Sequence, residues 1–167
     1  MTITVEDGSN VANANSYVSV ADAREYAAAR GATLSDDDSV VEQQLITAMD
    51  FIEAHRANFQ GTKTSPTQTL QWPREDVFLD FVILPTNFIP KELIGAQCSL
   101  VIAISNGVNI APVEQGPYIT SEAVGTIKTT YSEKIVSNNI PFIPTVYNLL
   151  TPLFNSASKI ALNTIRV

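Results

Sequence analysis

The sequence predicts a small, mainly α-helical domain of about four helices, with a long loop after the second helix, a short β-hairpin or strand, and extended N- and C-terminal arms. Three observations predict this class. Two segments open with capping-box patterns, two others open at a proline suited to a first helical turn, and the stretches between them show no regular period. The 167 residues are 45% hydrophobic, which is typical of one globular domain, and 16% charged, which is low against the roughly one quarter of typical soluble domains.

The N-terminal arm and the first helix come first. Residues 1–18 are rich in Asn, Ser, Gly and Asp and show no helical period, so they are predicted to be extended and suited to lying on an adjacent chain. Ser19 with Asp22 three residues on resembles a capping box and predicts that the first helix begins at Ser19. Arg30, a cation in the last turn, and Gly31 predict its end.

The second helix has the clearest pattern. Ser39 and Glu42 are predicted to form its capping box, and Gly61 to end it. Its apolar stripe comprises Val41, Leu45, Ala48, Ile52 and Phe59. Residues 62–89 then lack a convincing helix, and a loop of that length in a compact domain is typically functional. Its apolar run "VFLDFVILP" is predicted to pack as a short strand or turn against the second and third helices.

The rest of the chain is predicted to hold two more helices and a β segment. The third helix is predicted to begin at Pro90 and stop at Gly107. Residues 119–132 alternate like a strand or hairpin, and residues 144–154 form a short fourth helix interrupted near its end by a proline. Residues 19–154 therefore form the helical domain, and residues 155–167 form a β-prone tail able to add a strand to a partner.

A search for catalytic chemistry finds no convincing constellation. The chain has one histidine and one cysteine, too few for the usual zinc ligands. His55 is predicted to be a partly buried or helix-terminal residue, and Cys98 to lie on the core stripe of the third helix. The run Asp36 to Asp38 precedes the second helix and is predicted to cap it rather than to bind a metal. We therefore expect no enzyme, no cofactor and no metal.

Charge and hydropathy narrow the class of partner. A net charge of −7 is opposite to the basic surface of a dedicated nucleic-acid binder. A single cysteine permits no internal disulfide and fits a reducing compartment. The N-terminus lacks a signal-peptide pattern, and no run of about 18 apolar residues predicts a membrane span. We therefore expect a soluble, cytoplasmic protein without a membrane partner.

The loop "TSPTQTLQWPR", Thr64–Arg74, contains the only tryptophan and leaves three interpretations open. Trp72 could be a base-stacking platform, part of a ligand pocket, or an anchor that packs on a neighbouring element or subunit. A platform would combine Trp72 with the cations Lys63 and Arg74. An anchor would use Trp72 and Pro73. One aromatic ring and two cations make a weak DNA-binding platform in an acidic chain, so the anchor is the favoured interpretation.

Three blocks of the sequence resemble a known family. They read "VEDGSNVANANSYVSVADAREYAAARG", "GTKTSPTQTLQWPR" and "SEAVGTIKTTYS". In this order they are similar to head-to-tail connector, or adaptor, proteins of tailed bacteriophages, some of which carry the label DnaT-like for a supposed single-stranded-DNA role. The resemblance covers most of the chain and is carried over to Val5–Tyr17, Thr64–Arg74 and Ser121–Tyr131.

The resemblance implies a helical adaptor that forms a ring, usually dodecameric, in the virion neck. The ring would sit beneath the portal protein, extend the DNA channel and dock the next neck or tail protein, while genome DNA passes an acidic bore without specific binding. The alternative is a single-stranded-DNA-binding or primosome-type helper. The expected interface residues are Trp72, Pro73 and Arg74 in the loop, and Lys159, Ile160, Leu162, Ile165 and Val167 in the tail.

Overall fold

The computed structural model describes residues 2–110, 119–121, 130–131 and 142–155. Among these residues lie four α-helices: α1 (Val20–Ala28), α2 (Asp38–Ala54), α3 (Lys91–Ser105) and α4 (Pro144–Leu150). Single 3-10 turns follow α2 and α4, at Arg56–Asn58 and Thr151–Leu153. Six short strands pair as three antiparallel sheets: β1 (Thr62–Lys63) with β2 (Arg74–Glu75), β3 (Phe78–Leu79) with β4 (Val82–Ile83), and β5 (Ile119–Ser121) with β6 (Thr130–Tyr131).

The prediction of a mainly α fold is wrong, because the chain folds as a small mixed α/β domain. Residues 62–89, predicted as a long loop, contain two antiparallel hairpins and bury Leu70, Trp72 and Val77 in the core. Strands of two residues are too short to show alternating hydrophobicity, so no sequence period marks them. The β-prone segment 119–132 does contain β5 and β6, and its other residues lie outside the described part.

The prediction for α1 is confirmed at its start. Ser19 is the N-cap, and its hydroxyl oxygen accepts a hydrogen bond from the Asp22 backbone N–H at 3.1 Å. The helix ends at Ala28, two residues before the predicted last residue. Arg30 lies in the following turn, where its guanidinium covers the ring of Tyr26 at 3.3 Å from the centroid. The cation therefore stays at the end of the helix, where it is favoured.

The predicted capping box of α2 is wrong by two residues. The N-cap is Asp37, whose Oδ1 accepts hydrogen bonds from the backbone N–H and the hydroxyl of Ser39 at 2.9 and 2.7 Å. The aspartate run thus caps the helix, as predicted. The helix ends at Ala54 and a 3-10 turn follows, so Gly61 lies well beyond its end. Its stripe of Val41, Leu45, Ala48 and Ile52 is fully buried.

Helix α3 is the centre of the helical layer, because α1, α2 and α4 all pack on it. Pro90 is its N-cap and Lys91 its first residue, one later than predicted. Its buried face carries Leu93, Ala96, Leu100 and Val101, and α4 packs there through Val146 and Leu150. No helix of the described residues is long and apolar enough to cross a membrane.

The N-terminal arm packs on its own chain. Ala14, Tyr17 and Val18 are buried in the same core as the helices. The buried carboxylate of Glu6 accepts backbone hydrogen bonds from the turn that follows it, at 2.8 to 3.0 Å. A Cβ at Gly8 would lie 2.0 Å from the backbone oxygen of Asn87, so the arm fits closely against the loop before α3. The arm is therefore a structural part of the domain.

Candidate functional site

The loop that contains the only tryptophan is folded around a buried glutamine. The Oε1 of Gln68 accepts hydrogen bonds from the Thr64 hydroxyl and the Ser65 backbone N–H, both at 3.0 Å. Its Nε2 donates to the carbonyls of Leu70 and Pro73 at 2.9 and 3.0 Å. Because the oxygen and the nitrogen of this buried side-chain amide both form hydrogen bonds within the loop, the loop has a defined shape without regular secondary structure.

Trp72 is completely buried by its own chain. Its ring packs edge-on against Phe59, with centroids 6.0 Å apart, and its backbone N–H donates to the Tyr17 hydroxyl at 3.0 Å. The peptide bond to Pro73, which is also buried, is cis. The indole therefore offers no face to a base or to a second subunit, and the structure places it as an anchor within one chain.

Arg74 is buried and holds the loop to the turn after α2. Its Nε donates to the Gln60 carbonyl at 2.6 Å and its Nη2 to the Gly61 carbonyl at 2.7 Å. Burial lowers the pKa of Arg74, although the nearby Tyr17 and Glu53 act in the opposite direction. Since its donors point at backbone carbonyls, the guanidinium is a structural clamp and not a phosphate contact.

Lys63, the other cation of the predicted platform, is also engaged by the loop. Its Nζ donates to the Gln68 carbonyl at 3.3 Å. Together with the burial of Trp72 and Arg74, this means that the three residues do not form an accessible stacking surface. The predicted interface residues of the tail, from Lys159 to Val167, lie outside the described residues.

Glu53 joins the arm, α2 and the loop. Its Oε1 accepts hydrogen bonds from the Gln71 backbone N–H at 2.9 Å and from the Tyr17 hydroxyl at 3.3 Å. Burial raises the pKa of Glu53, while these hydrogen bonds and the charge of Lys63 oppose the rise. Burial, and then the negative charge of Glu53, raise the pKa of Tyr17 well above its usual range. This pair connects three elements of the fold.

The single histidine and cysteine have structural positions. His55 is half-buried at the end of α2, with its Nδ1 2.8 Å from the Phe51 carbonyl and its ring stacked on Phe154. Burial raises the pKa of the Cys98 thiol to about 12, so it stays protonated and is a poor nucleophile. In the described ranges, no three His, Cys, Asp or Glu side chains are placed to hold a metal ion. That the chain is not an enzyme stays a prediction.

The hairpin β3–β4, residues Phe78–Ile83, is the main apolar feature on the described surface. Phe78, Phe81, Val82 and Ile83 are 55% to 103% exposed, and they make up half of the eight large hydrophobic residues exposed in the described ranges. The run "VFLDFVILP" was predicted to pack against the second and third helices. The prediction of a short strand or turn is confirmed, and Val77 of this run is buried in the core, but the predicted packing partner is wrong. The hairpin contacts the 3-10 turn after α4, and four of its side chains project into solvent.

The tip of this hairpin is a two-residue turn with an unfavourable residue. Asp80 and Phe81 connect the pair Leu79–Val82 and have φ angles of +50° and +66°. Two-residue turns of this type favour Asn-Gly or Asp-Gly, and the left-handed conformation costs other residues roughly 1–2 kcal/mol. Phe81 is also fully exposed, so no contact within the described chain offsets that cost.

The base of the hairpin is firmly attached. The Phe78 backbone N–H donates to Gln60 Oε1 at 3.2 Å, and the Leu84 N–H donates to the Val77 carbonyl at 2.9 Å. Gln60 Nε2 in turn donates to the Pro152 carbonyl at 2.8 Å, just beyond α4. The exposed tip is therefore presented from a fixed base.

A groove lies at the other end of α4. It measures about 390 Å³ and is bounded by the end of α1, the C-terminal half of α3 and the start of α4. Its wall is largely aliphatic, and a single charged side chain is among its lining residues. The aliphatic lining residues are Ala32, Ile102, Ala103, Val108 and Ile143, and the charged one is Arg30.

Comparison with known proteins identifies a family. A family model described as "Putative DnaT-like ssDNA binding protein" matches residues 1–167. The chain belongs to this DnaT-like family. No curated protein and no solved structure matches it. The family match therefore covers the whole chain, whereas the resemblance to phage adaptors is not supported by these comparisons.

Membership of the DnaT-like family directs attention to aromatic and basic residues, since those bind single-stranded DNA. In this member, the three residues that the sequence suggested for that role hold the fold together. The hairpin carries Phe78 and Phe81, two of the four phenylalanines exposed in the described ranges, in a run that was predicted to pack on the helices. The sequence did contain a signal for this hairpin. The pair Asp80-Phe81 stands between two apolar pairs, which is the pattern of a turn flanked by short strands.

Proposed function

We propose that this chain is a structural assembly protein that acts as a head-to-tail adaptor in the neck of a tailed phage. Assembly is supported chiefly by the hairpin Phe78–Ile83, whose tip has an unfavourable backbone conformation and is fully exposed. A surface of this kind marks an interaction site, because its cost is recovered when another chain covers it. The low charged fraction of 16%, against roughly a quarter in typical soluble proteins, supports the same conclusion.

The phage part of the proposal rests on the three resembling blocks of sequence. Two of them, Val5–Tyr17 and Thr64–Arg74, contact each other in the fold: the Thr64 hydroxyl donates to Asn10 Oδ1 at 3.3 Å, and the Trp72 N–H donates to the Tyr17 hydroxyl at 3.0 Å. These two blocks therefore pack together in one part of the fold.

In this function the chain forms a ring, dodecameric by the resemblance, beneath the portal protein of the virion. The ring also docks the next neck or tail protein through residues 155–167, and genome DNA passes through the bore. The net charge of −7 favours passage over binding, because a negative wall repels a polyanion from every side.

The second candidate is a single-stranded-DNA-binding protein, and the family description favours it directly. With Trp72 buried, the stacking groups at the hairpin would be Phe78 and Phe81. However, Asp76 and Asp80 flank these rings and repel phosphate, and the hairpin segment contains no lysine or arginine. The local geometry therefore supports a protein partner at this surface better than DNA.

Two measurements separate the candidates. Electron microscopy of the purified chain, alone and mixed with virion necks, tests whether it adds ring density to the collar. Binding to a labelled single-stranded oligonucleotide, measured over a salt series, tests the second candidate, whose affinity would fall steeply with salt. Tight, salt-dependent oligonucleotide binding by a chain that adds nothing to the collar would refute the adaptor proposal.

A further inference from the structure

We propose that the hairpin tip of one copy inserts into the α1–α3–α4 groove of the next copy, with the Phe81 ring against the aliphatic wall and the Asp80 carboxylate beside Arg30. This inference rests on the proposed self-assembly and names the surfaces that make it. Phe81 and Asp80 are adjacent at the tip, and Arg30 lines a groove whose other lining residues carry no charge.

The groove and the tip match in size and polarity. At about 390 Å³ the groove is at the small end of the range of binding pockets, roughly 300–1,000 Å³, and suits one aromatic side chain with its neighbours. Its wall contains Ile102, Val108 and Ile143. An exposed phenylalanine ring that enters such a groove loses its contact with water, which is favourable in proportion to the apolar area removed.

The charges are complementary as well. From Glu75 to Pro90 the chain carries three carboxylates and no cation. Arg30 is exposed at the groove, and its Nη1 donates to the Tyr26 carbonyl at 3.1 Å while the guanidinium covers the Tyr26 ring. The cation is thus held in place by its own helix, and an arginine has further N–H donors for a carboxylate.

The contact joins two copies and not two parts of one chain, because the two surfaces lie at opposite ends of α4. Ile143, directly before α4, lines the groove, whereas Pro152, directly after α4, adjoins the hairpin. The seven residues of α4 span roughly 10 Å, and the base of the hairpin is bonded to Gln60 at the far end. Each copy then donates a tip at one end and accepts one at the other, the head-to-tail arrangement that produces rings when it closes.

Disulfide trapping tests the contact. Val82→Cys places a thiol beside the tip, and Val108→Cys places one in the groove. When the two single variants are mixed and oxidised, a covalent dimer that forms only in the mixture is expected. Val40→Cys, on an exposed part of α2 that lines neither surface, is the matched control and should give no dimer with Val108→Cys. Native Cys98 is buried in the parent chain, so it does not compete for the new thiols.

Charge reversal supplies an independent readout. Asp80→Lys and Arg30→Glu should each weaken self-association, measured by sedimentation velocity, by roughly fivefold or more. The double variant carries complementary charges again and should recover most of the loss. Circular dichroism must show that each variant is folded. Single variants that weaken association without recovery in the double variant would overturn the pairing.

The outcomes separate this inference from the proposed function. Suppose that the chain forms rings on virion necks, but that mixed Val82→Cys and Val108→Cys variants give no covalent dimer and both charge reversals have no effect. The hairpin-groove contact is then wrong while the assembly function stands. If the chain neither self-associates at its highest soluble concentration nor adds to the collar, both are wrong. A covalent dimer specific to the mixture, together with recovery in the double variant, supports the contact.

Discussion

Replacing Asp80-Phe81 with Asn-Gly should separate the stability of the subunit from its assembly. Both residues have positive φ angles, which Asn and Gly adopt readily and Phe does not. Relief of the left-handed Phe gains roughly 1–2 kcal/mol, and the extra backbone freedom of Gly in the unfolded chain costs about 0.5–1 kcal/mol. The net gain therefore lies between about 0 and 1.5 kcal/mol.

No burial is lost in this substitution, because Phe81 is 103% exposed in the free chain. For a domain of this size, a change of about 1 kcal/mol shifts the Tm by roughly 2–4 °C, so the Tm should stay unchanged or rise by up to about 6 °C. Self-association should be lost, since the ring that the groove would receive is gone. The assays are thermal unfolding by circular dichroism and sedimentation velocity on the same samples.

Phe81→Ala is the matched control, because it removes the ring and leaves the Cβ and the positive φ. It should leave the Tm nearly unchanged and also abolish association. A Tm that falls by several degrees in Asn-Gly would show that Phe81 packs within its own subunit. Unchanged association in both variants would show that the tip is not an interface. Either result refutes the reasoning.

Three further predictions concern the core and the tail. Trp72→Ala should lower the free energy of unfolding, measured by chemical denaturation, by about 3–5 kcal/mol, because the ring is buried by its own chain. Trp72→Phe should cost clearly less, because the indole N–H that it removes has no partner among the described residues. Loss of assembly with unchanged stability would place Trp72 in an interface instead. Burial raises the pKa of Glu53, so the folded state holds its proton more tightly than the unfolded state, and this group's contribution to stability declines as pH rises from its ordinary value of 4.5 through the raised value. Glu53→Gln keeps an acceptor for Gln71 and Tyr17, and its Tm relative to the parent should increase over that window; a relative Tm that falls with rising pH would contradict this sign. Deletion of residues 156–167 should leave the Tm unchanged while docking on portal particles is lost, and unfolding of the truncated chain would show that the tail belongs to the core.

The helices were largely predictable because their signals are local. Ser19 and Pro144 mark the starts of α1 and α4 through interactions within one turn. The start of α2 was missed because consecutive residues, including Asp37 and Ser39, are all good caps. Next to the N-cap that the structure uses lies a tertiary contact. Arg24 forms an ion pair with Asp38 at 2.6 Å, which ties the first turn of α2 to α1.

The candidate site was mostly unpredictable because its contacts are distant in sequence. Whether Trp72 is a platform or an anchor depends on Phe59, Tyr17 and Glu53, which come from three different elements. The mixed fold was missed for the same reason, since the two-residue strands are held by pairing and by side chains such as Gln68 and Gln60, and not by a pattern of their own.

The amino-acid sequence alone determined the acidic balance and the approximate positions of the helices, because these follow from composition and from neighbours three or four residues apart. Only the tertiary structure decided which aromatic residue of the segment 62–89 faces inward. Trp72 is enclosed and Phe81 is bare, although both sit in short, period-free stretches. Whether a residue in such a stretch is buried depends on which distant elements it contacts in the folded chain, and neither residue type nor spacing predicts those contacts.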